Sequence, residues 1–532
     1  MTQLLDIFGF LSVLLRGISL SFEALTTGGV LFLWMARGLE GKEVRERALR
    51  WLTRAAAALA IAQLLLASAN SAILIGTTDL RPAEVAGAGF WKATLLVLAG
   101  AMIVVVLARG LWIRSAALLA ASAILAGSTM LSHSAARIEH RWILMGLTFL
   151  HHAAGGAWIG GLPYLLLALR RGGTDSEPAQ LTRRFSRLAM ASVALLIAAG
   201  AGLGLSYVGS AAALGGTTYG AMLLAKVILT GILLLFGALN LRIVRAVRGG
   251  ASPDLLPLRR FAEAEVGIGF TVLLTAASLT STPPAVDVLV DRVTGPEIVQ
   301  RMRPRWPRME TPAFADLSPA SKLAIPENSR LPGSFVPGQL QHPNTPADIA
   351  WSEYNHHWAG LVVLAMGILA VFSRRFRWAR HWPLAFFGLA LFLLVRADSE
   401  NWPLGPRGFW ESFQVAEVAQ HRLFVLLIVM FAIFEWAVQT QRIAPRRAGL
   451  VFPLVCAVGG ALLMTHSHSL GNVKEEFLAE LSHIPLALLA VAAGWCRWLE
   501  IRLPRDRTQF VAWVWPVCFV LIGAVLILYR ES

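Results

Sequence analysis

The chain alternates long apolar runs with short, basic connections. Fourteen runs stand out, at about 5–36, 51–75, 88–108, 112–131, 141–169, 186–207, 219–243, 259–281, 357–373, 382–396, 421–440, 448–465, 483–500 and 508–529. Most approach or exceed the ~20 residues that a helix needs to cross a bilayer. The pattern predicts an all-α, polytopic membrane protein with about 14 transmembrane helices.

The connections predict its orientation. Arginines and lysines crowd into every second one: Arg37, Lys42, Arg45, Arg47, Arg50 and Arg54 in the first, Arg374, Arg375, Arg377 and Arg380 in a later one. Short basic connections stay in the cytoplasm. Both termini are therefore expected outside the cytoplasm, in a bacterial inner (plasma) membrane. The N-terminus lacks a basic leader region, so no cleavable signal peptide is expected. One connection differs. Residues 282–355 hold twelve of the 25 prolines and read as an extended extracytoplasmic loop. The expected division is 1–281 as an eight-helix membrane domain, 282–355 as the loop, and 356–532 as a six-helix membrane domain.

Composition agrees. Of 532 residues, 56% are hydrophobic and 15% charged, against about 25% charged in soluble domains. The net charge of +15 is accounted for by the basic connections and does not call for nucleic acid. Three cysteines, Cys456, Cys496 and Cys518, have no CxxC spacing and fall in apolar runs, where inert thiols are expected.

The histidines change the picture. Of twelve, only His381 falls on the predicted cytoplasmic side. His151 and His152 lie within the fifth helix, where an ionisable group is costly and points to function. Adjacent helical residues diverge by about 100°, so one of the two, His151, is favoured as a ligand, and the other is free to bond a neighbouring helix. Met130 precedes His133 by three residues, and Met464 precedes His466 and His468. Imidazole with thioether suits copper, Cu(I) above all. His133, His151, His152 and Met130 make one candidate metal set; His356, His357, His466, His468 and His483 make a second. The lone His140, His342 and His421 read as interfacial polar groups. Gly155, Gly156, Gly160 and Gly161 permit close helix packing. Glu23, Lys226 and Glu265 are the other polar groups singled out within spans. Arg16 stands two turns before Glu23, close enough to pair with it. Lys226 and Glu265 suit either an interhelical ion pair or a polar path.

Several stretches resemble the CopD/PcoD copper-resistance membrane proteins. Leu150-His151 with Trp158-Ile159-Gly160-Gly161-Leu162 is similar to the family's LH…WxGGL element. "LSHSAA" at 131–136 resembles its GHA element, with Ser132 where glycine is usual. Thr217, Tyr219, Gly220, Lys226 and Asn240 resemble its T.YG..LL.K…N helix, and Glu265 with Pro283 and Pro284 its last helix. The likeness covers roughly 1–285. It implies uptake of copper from the periplasmic side and movement across or into the membrane, with a periplasmic copper chaperone and membrane lipid as partners. Residues 286–532 match less clearly.

No P-loop and no DKTG sequence is present, so movement would be driven by a gradient or a partner, and no enzymatic activity is expected. Two other readings stay open: a haem-b electron-transfer protein using the histidines as axial ligands, and a copper delivery factor that does not transport.

Overall fold

The computed structural model describes residues 2–38, 41–78, 80–169, 176–248, 256–313, 316–317, 345–396, 401–414, 416–465 and 473–531. Fourteen principal helices follow in chain order. The first eight are α1 (Thr2–Met35), α2 (Lys42–Thr77), α3 (Gly89–Arg109), α4 (Arg114–Met130), α5 (Arg141–Leu169), α6 (Ser176–Val208), α7 (Thr218–Arg248) and α8 (Leu256–Ser281). The last six are α9 (Pro346–Phe372), α10 (Trp378–Arg396), α11 (Ala416–Gln439), α12 (Val451–Leu463), α13 (Val473–Arg502) and α14 (Gln509–Ile527). Twelve are long and apolar enough to cross a membrane; α4, with 17 residues, and α12, with 13, are shorter apolar helices. No strand occurs among the described residues.

Local chemistry sets several of the ends. Thr345 caps α9: its hydroxyl accepts from the Asp348 amide at 3.2 Å, and the Asp348 carboxylate accepts from the Thr345 amide at 3.1 Å. Such a reciprocal cap satisfies two amides that the first turn leaves without partners. Helix α4 ends at Met130, and a two-residue turn follows before a short helix at His133–Ala136.

Helix α1 is the axis of the first eight. It packs against α2, α5 and α8. Its approach to α5 is backbone on backbone. Residues Gly156–Gly160 form a π-helical turn. A Cβ on Gly160 would lie 1.8 Å from the Ala24 carbonyl oxygen, and one on Gly28 would lie 2.3 Å from that of Gly156. Only glycine permits that contact, so the glycines after the histidine pair are packing devices.

The last six helices have an aromatic core in which Trp382, Phe452 and Trp515 are fully buried. They are joined to the first eight along α8 and α13. A Cβ on Gly267 would sit 1.5 Å from the Trp495 ring. Glu263 accepts from Arg502 at 3.1 Å and from the Trp498 indole at 3.1 Å. The Ser278 hydroxyl donates to the Met464 carbonyl at 2.7 Å.

The connection expected to be extended has local structure in its first part. Ala285–Asp287 make a 3-10 turn and Gly295–Met302 a helix, and the Val293 amide donates to the Gly216 carbonyl at 3.0 Å. Helix α9 begins at Pro346, ten residues before the start expected for the C-terminal unit. Residues 318–344 lie outside the described residues.

Candidate functional site

A cavity of about 80 Å3 opens where α1, α5, α6, α7 and α8 converge. Its polar lining consists of Glu23, His151, His152, Lys226 and Thr230, and Trp158 also borders it. These residues are far apart in sequence, and close packing of α1 on the π turn of α5 draws them together.

His152 and Glu23 are bonded. The Nδ1 of His152 lies 2.9 Å from Glu23 Oε1, and Glu23 is only 5% exposed. A carboxylate accepts and cannot donate, so the Nδ1–H donates. That fixes the tautomer and leaves the lone pair on Nε2. A carboxylate behind an imidazole is the arrangement that orients and strengthens histidine ligands of metals. His151 packs its Nδ1–Cε1 edge against Gly200 of α6, where a Cβ would lie 3.2 Å from Cε1, and its ring meets the Leu196 carbonyl of the same helix, without a well-formed bond from Nδ1. The two rings diverge as adjacent helical positions must, and both border the same cavity.

Lys226 contributes an ammonium with no acidic partner among the described residues. The ion pair with Glu265 is not formed. Glu265 is buried on the far side of Trp158 and is held by the Asn240 amide and the Trp158 indole. Arg16 does not bond Glu23 either; its guanidinium donates to the Leu131 carbonyl at 2.7 Å. In a medium where an unsatisfied carbonyl is costly, the arginine caps the end of α4.

His133 lies one helical turn beyond the cavity. Its Nε2 is 3.3 Å from the Leu279 carbonyl, and Leu279 follows the cavity residue Ala276 by three positions on α8. Its ring meets Tyr207 edge-on, with centroids 6.3 Å apart. Burial, and to a smaller extent Arg16 and Arg137, pull the His133 imidazole below its usual value, against the Leu279 carbonyl. Met130 does not join it. That side chain is 42% exposed on the last turn of α4. The spacing of three positions fails because the helix ends between the two residues.

The second histidine set is arranged otherwise. His357 is fully buried; its Nδ1 accepts from the Arg308 amide at 2.7 Å, and its Nε2 donates to the Tyr529 carbonyl at 3.0 Å. Neither nitrogen is left for a metal. His356 donates from Nδ1 to the Ser352 carbonyl at 2.8 Å and stacks on Tyr529, with centroids 3.8 Å apart. His483 donates from Nδ1 to the Ala479 carbonyl at 2.9 Å and meets Tyr529 edge-on at 6.1 Å. His466 and His468 lie outside the described residues. Among the described residues, no three His, Cys, Asp or Glu side chains are grouped closely enough to hold a metal ion. Cys518 is buried, and Cys456 and Cys496 are half-buried, all three as free thiols in the aromatic core.

Of the candidate metal set, His151 and His152 meet Glu23 and Lys226 here, a convergence not legible in the sequence, and Thr230 joins them without having been singled out. The signal available for it was slight: it lies four residues after Lys226, on the same helical face.

Helices of this length and apolarity, packed without strands, define an all-α polytopic membrane protein. Residues 179–279, which run through α6, α7 and α8, match the family model for Copper resistance protein D. The "Copper transport protein CutJ" of Bacillus subtilis (strain 168) is 29% identical over 211 residues, 38% of this chain and 37% of that protein. The chain thus spans just over a third of the length of the curated relative it matches. No solved structure matches the chain. These findings support a CopD-family protein, and so a copper-related membrane protein. The family match includes Lys226, Thr230 and Glu265, and it begins after His151 and His152.

Proposed function

We propose that this protein takes copper at the cavity between α1, α5 and α7 and passes the ion across or within a bacterial inner membrane. His152 is the oriented ligand, with Glu23 behind it, and His151 is the second. His133 is the polar group met on the way in, from the periplasmic side. The single observation that carries this reading is the His152–Glu23 pair on the wall of the cavity, beside the imidazole of His151. Two imidazoles and no hard-oxygen cage suit Cu(I). The cavity has room for an ion and a few waters but falls below the several hundred Å3 typical of an organic ligand. A haem would not fit it.

The charges bear on how the ion is handled. Glu23 offsets one positive charge, and Lys226 opposes it. Such a site binds a monovalent cation without trapping it. The protein acts as a carrier or delivery factor rather than as an enzyme, with a periplasmic copper chaperone as the source of the ion. The first eight helices do this work; the last six brace α8 through Glu263 and Gly267.

The test is to purify the protein in detergent and measure its metal content together with its visible spectrum. Stoichiometric copper without a Soret band, lost in His151→Ala and His152→Ala, supports the reading. A Soret band, or copper retained by both variants, overturns it. Copper flux into liposomes then separates transport from delivery.

A further inference from the structure

Residues 301–308 read Arg-Met-Arg-Pro-Arg-Trp-Pro-Arg. Four arginines in eight residues are unexpected at this end of the bundle, opposite the short basic connections. Two of them have internal partners. The Arg301 guanidinium bonds the Arg530 and Glu531 carbonyls, and Arg308 lies 3.5 Å from Glu353. Arg303 and Arg305 are exposed and have no partner among the described residues. Trp306, between Arg305 and Pro307, is 95% exposed.

The backbone fixes the depth of this segment. The Arg308 amide is bonded to His357, and the Met309 carbonyl accepts from the Trp358 indole at 3.2 Å. The apolar run of α9 starts at that level and continues from Trp358 to Phe372. Fifteen helical residues measure about 22 Å, somewhat less than the ~30 Å hydrocarbon layer. The segment is therefore pinned at the edge of the hydrocarbon. Trp358 is partly exposed on the outside of α9, so the segment runs along the perimeter of the bundle. An indole at this depth belongs in the headgroup layer. Guanidinium groups there meet phosphate, which they bind in a two-pronged geometry.

We propose that Arg303, Arg305 and Trp306 form a headgroup site for an anionic phospholipid at the outer-loop end of the protein. The arginines bind the phosphate, and the indole lies along the glycerol and upper acyl chain. The lipid thereby covers the segment that is tied to His357. Each arginine near an anionic surface strengthens binding by about fivefold, or about 25-fold for two.

The experiment uses the full chain in nanodiscs containing a photoactivatable phosphatidylglycerol analogue, with cross-linked peptides mapped by mass spectrometry. The expected result is cross-linking at 301–308 that unlabelled phosphatidylglycerol displaces and phosphatidylcholine does not. In the Arg303→Gln/Arg305→Gln double variant these cross-links should fall by an order of magnitude. Those at the basic 374–380 connection should stay, which shows that the variant is folded. Absence of cross-links at 301–308, displacement by phosphatidylcholine equal to that by phosphatidylglycerol, or an undiminished signal in the double variant would overturn the proposal. Absence would leave the surface to a soluble acidic partner.

Discussion

The chain carries two His-His pairs within its helices, and they meet opposite fates. His356 and His357, in the outer part of α9, are bonded to backbone: His357 to Arg308 and Tyr529, His356 to Ser352. They staple the outer connection and the C-terminus to the bundle. His151 and His152, deep in α5, border a cavity; one of them is braced by a carboxylate and the other rests its ring edge against α6. The contrast shows that two pairs of the same residue type and spacing can have quite different ring partners. What matters is where the nitrogens point and what already holds them. His357 has both ring nitrogens held by backbone, whereas the carboxylate on Nδ1 of His152 leaves its Nε2 free.

The comparison is broken most directly by removing the first pair. His151→Ala together with His152→Ala should abolish copper binding, read as metal per protein after equilibrium dialysis. Retention of stoichiometric copper would make the two pairs equivalent. Glu23→Gln keeps the shape and removes the charge behind His152. It should weaken copper binding by about 10–100-fold, the usual effect of losing an outer partner of a ligating histidine; a competition titration against a Cu(I) chelator measures it. Lys226→Met should act the other way and tighten copper by about tenfold. That is part of the roughly 3 kcal/mol that two unit charges ~6 Å apart feel at an effective dielectric of about 20. The same titration reads it, and weaker binding would mean that Lys226 helps to hold the ion's partner groups. His357→Ala should leave copper affinity unchanged and cost about 2–4 kcal/mol of stability, because it strands a partly buried amide and a buried carbonyl. A thermal melt of the detergent-solubilised protein checks that, and a loss of copper with no loss of stability would reverse the roles of the two pairs.

The helices were legible because hydrocarbon length is written directly in the sequence. All fourteen apolar runs fall on helices. Their turns and contacts were not. Met130 and His133 carry a spacing that serves one site only if the helix continues, and it stops at Met130. The sequence offered Arg16 as a partner for Glu23, but His152, 129 positions away, takes it. Lys226 and Glu265 look complementary by charge and depth, yet Asn240 and Trp158 claim the carboxylate. Each miss is a choice among partners that only tertiary packing makes. The copper relation was legible through the stretches that resemble the CopD family, in agreement with the match at 179–279, and the geometry of the candidate ligands was not.

The π turn at Gly156–Gly160 has a consequence for register. A π turn holds one residue more than the α-helical turn it replaces. Everything on α5 before it is therefore offset by about 100° from where an uninterrupted helix would place it. With the extra residue, His152 reaches Glu23 on α1 while Trp158, six positions on, reaches Glu265 on α8. Removing one residue from this turn would swing one of those two side chains off its partner. The surplus residue in α5 works as a phase adjustment, letting a single helix serve two buried acids on two different neighbours.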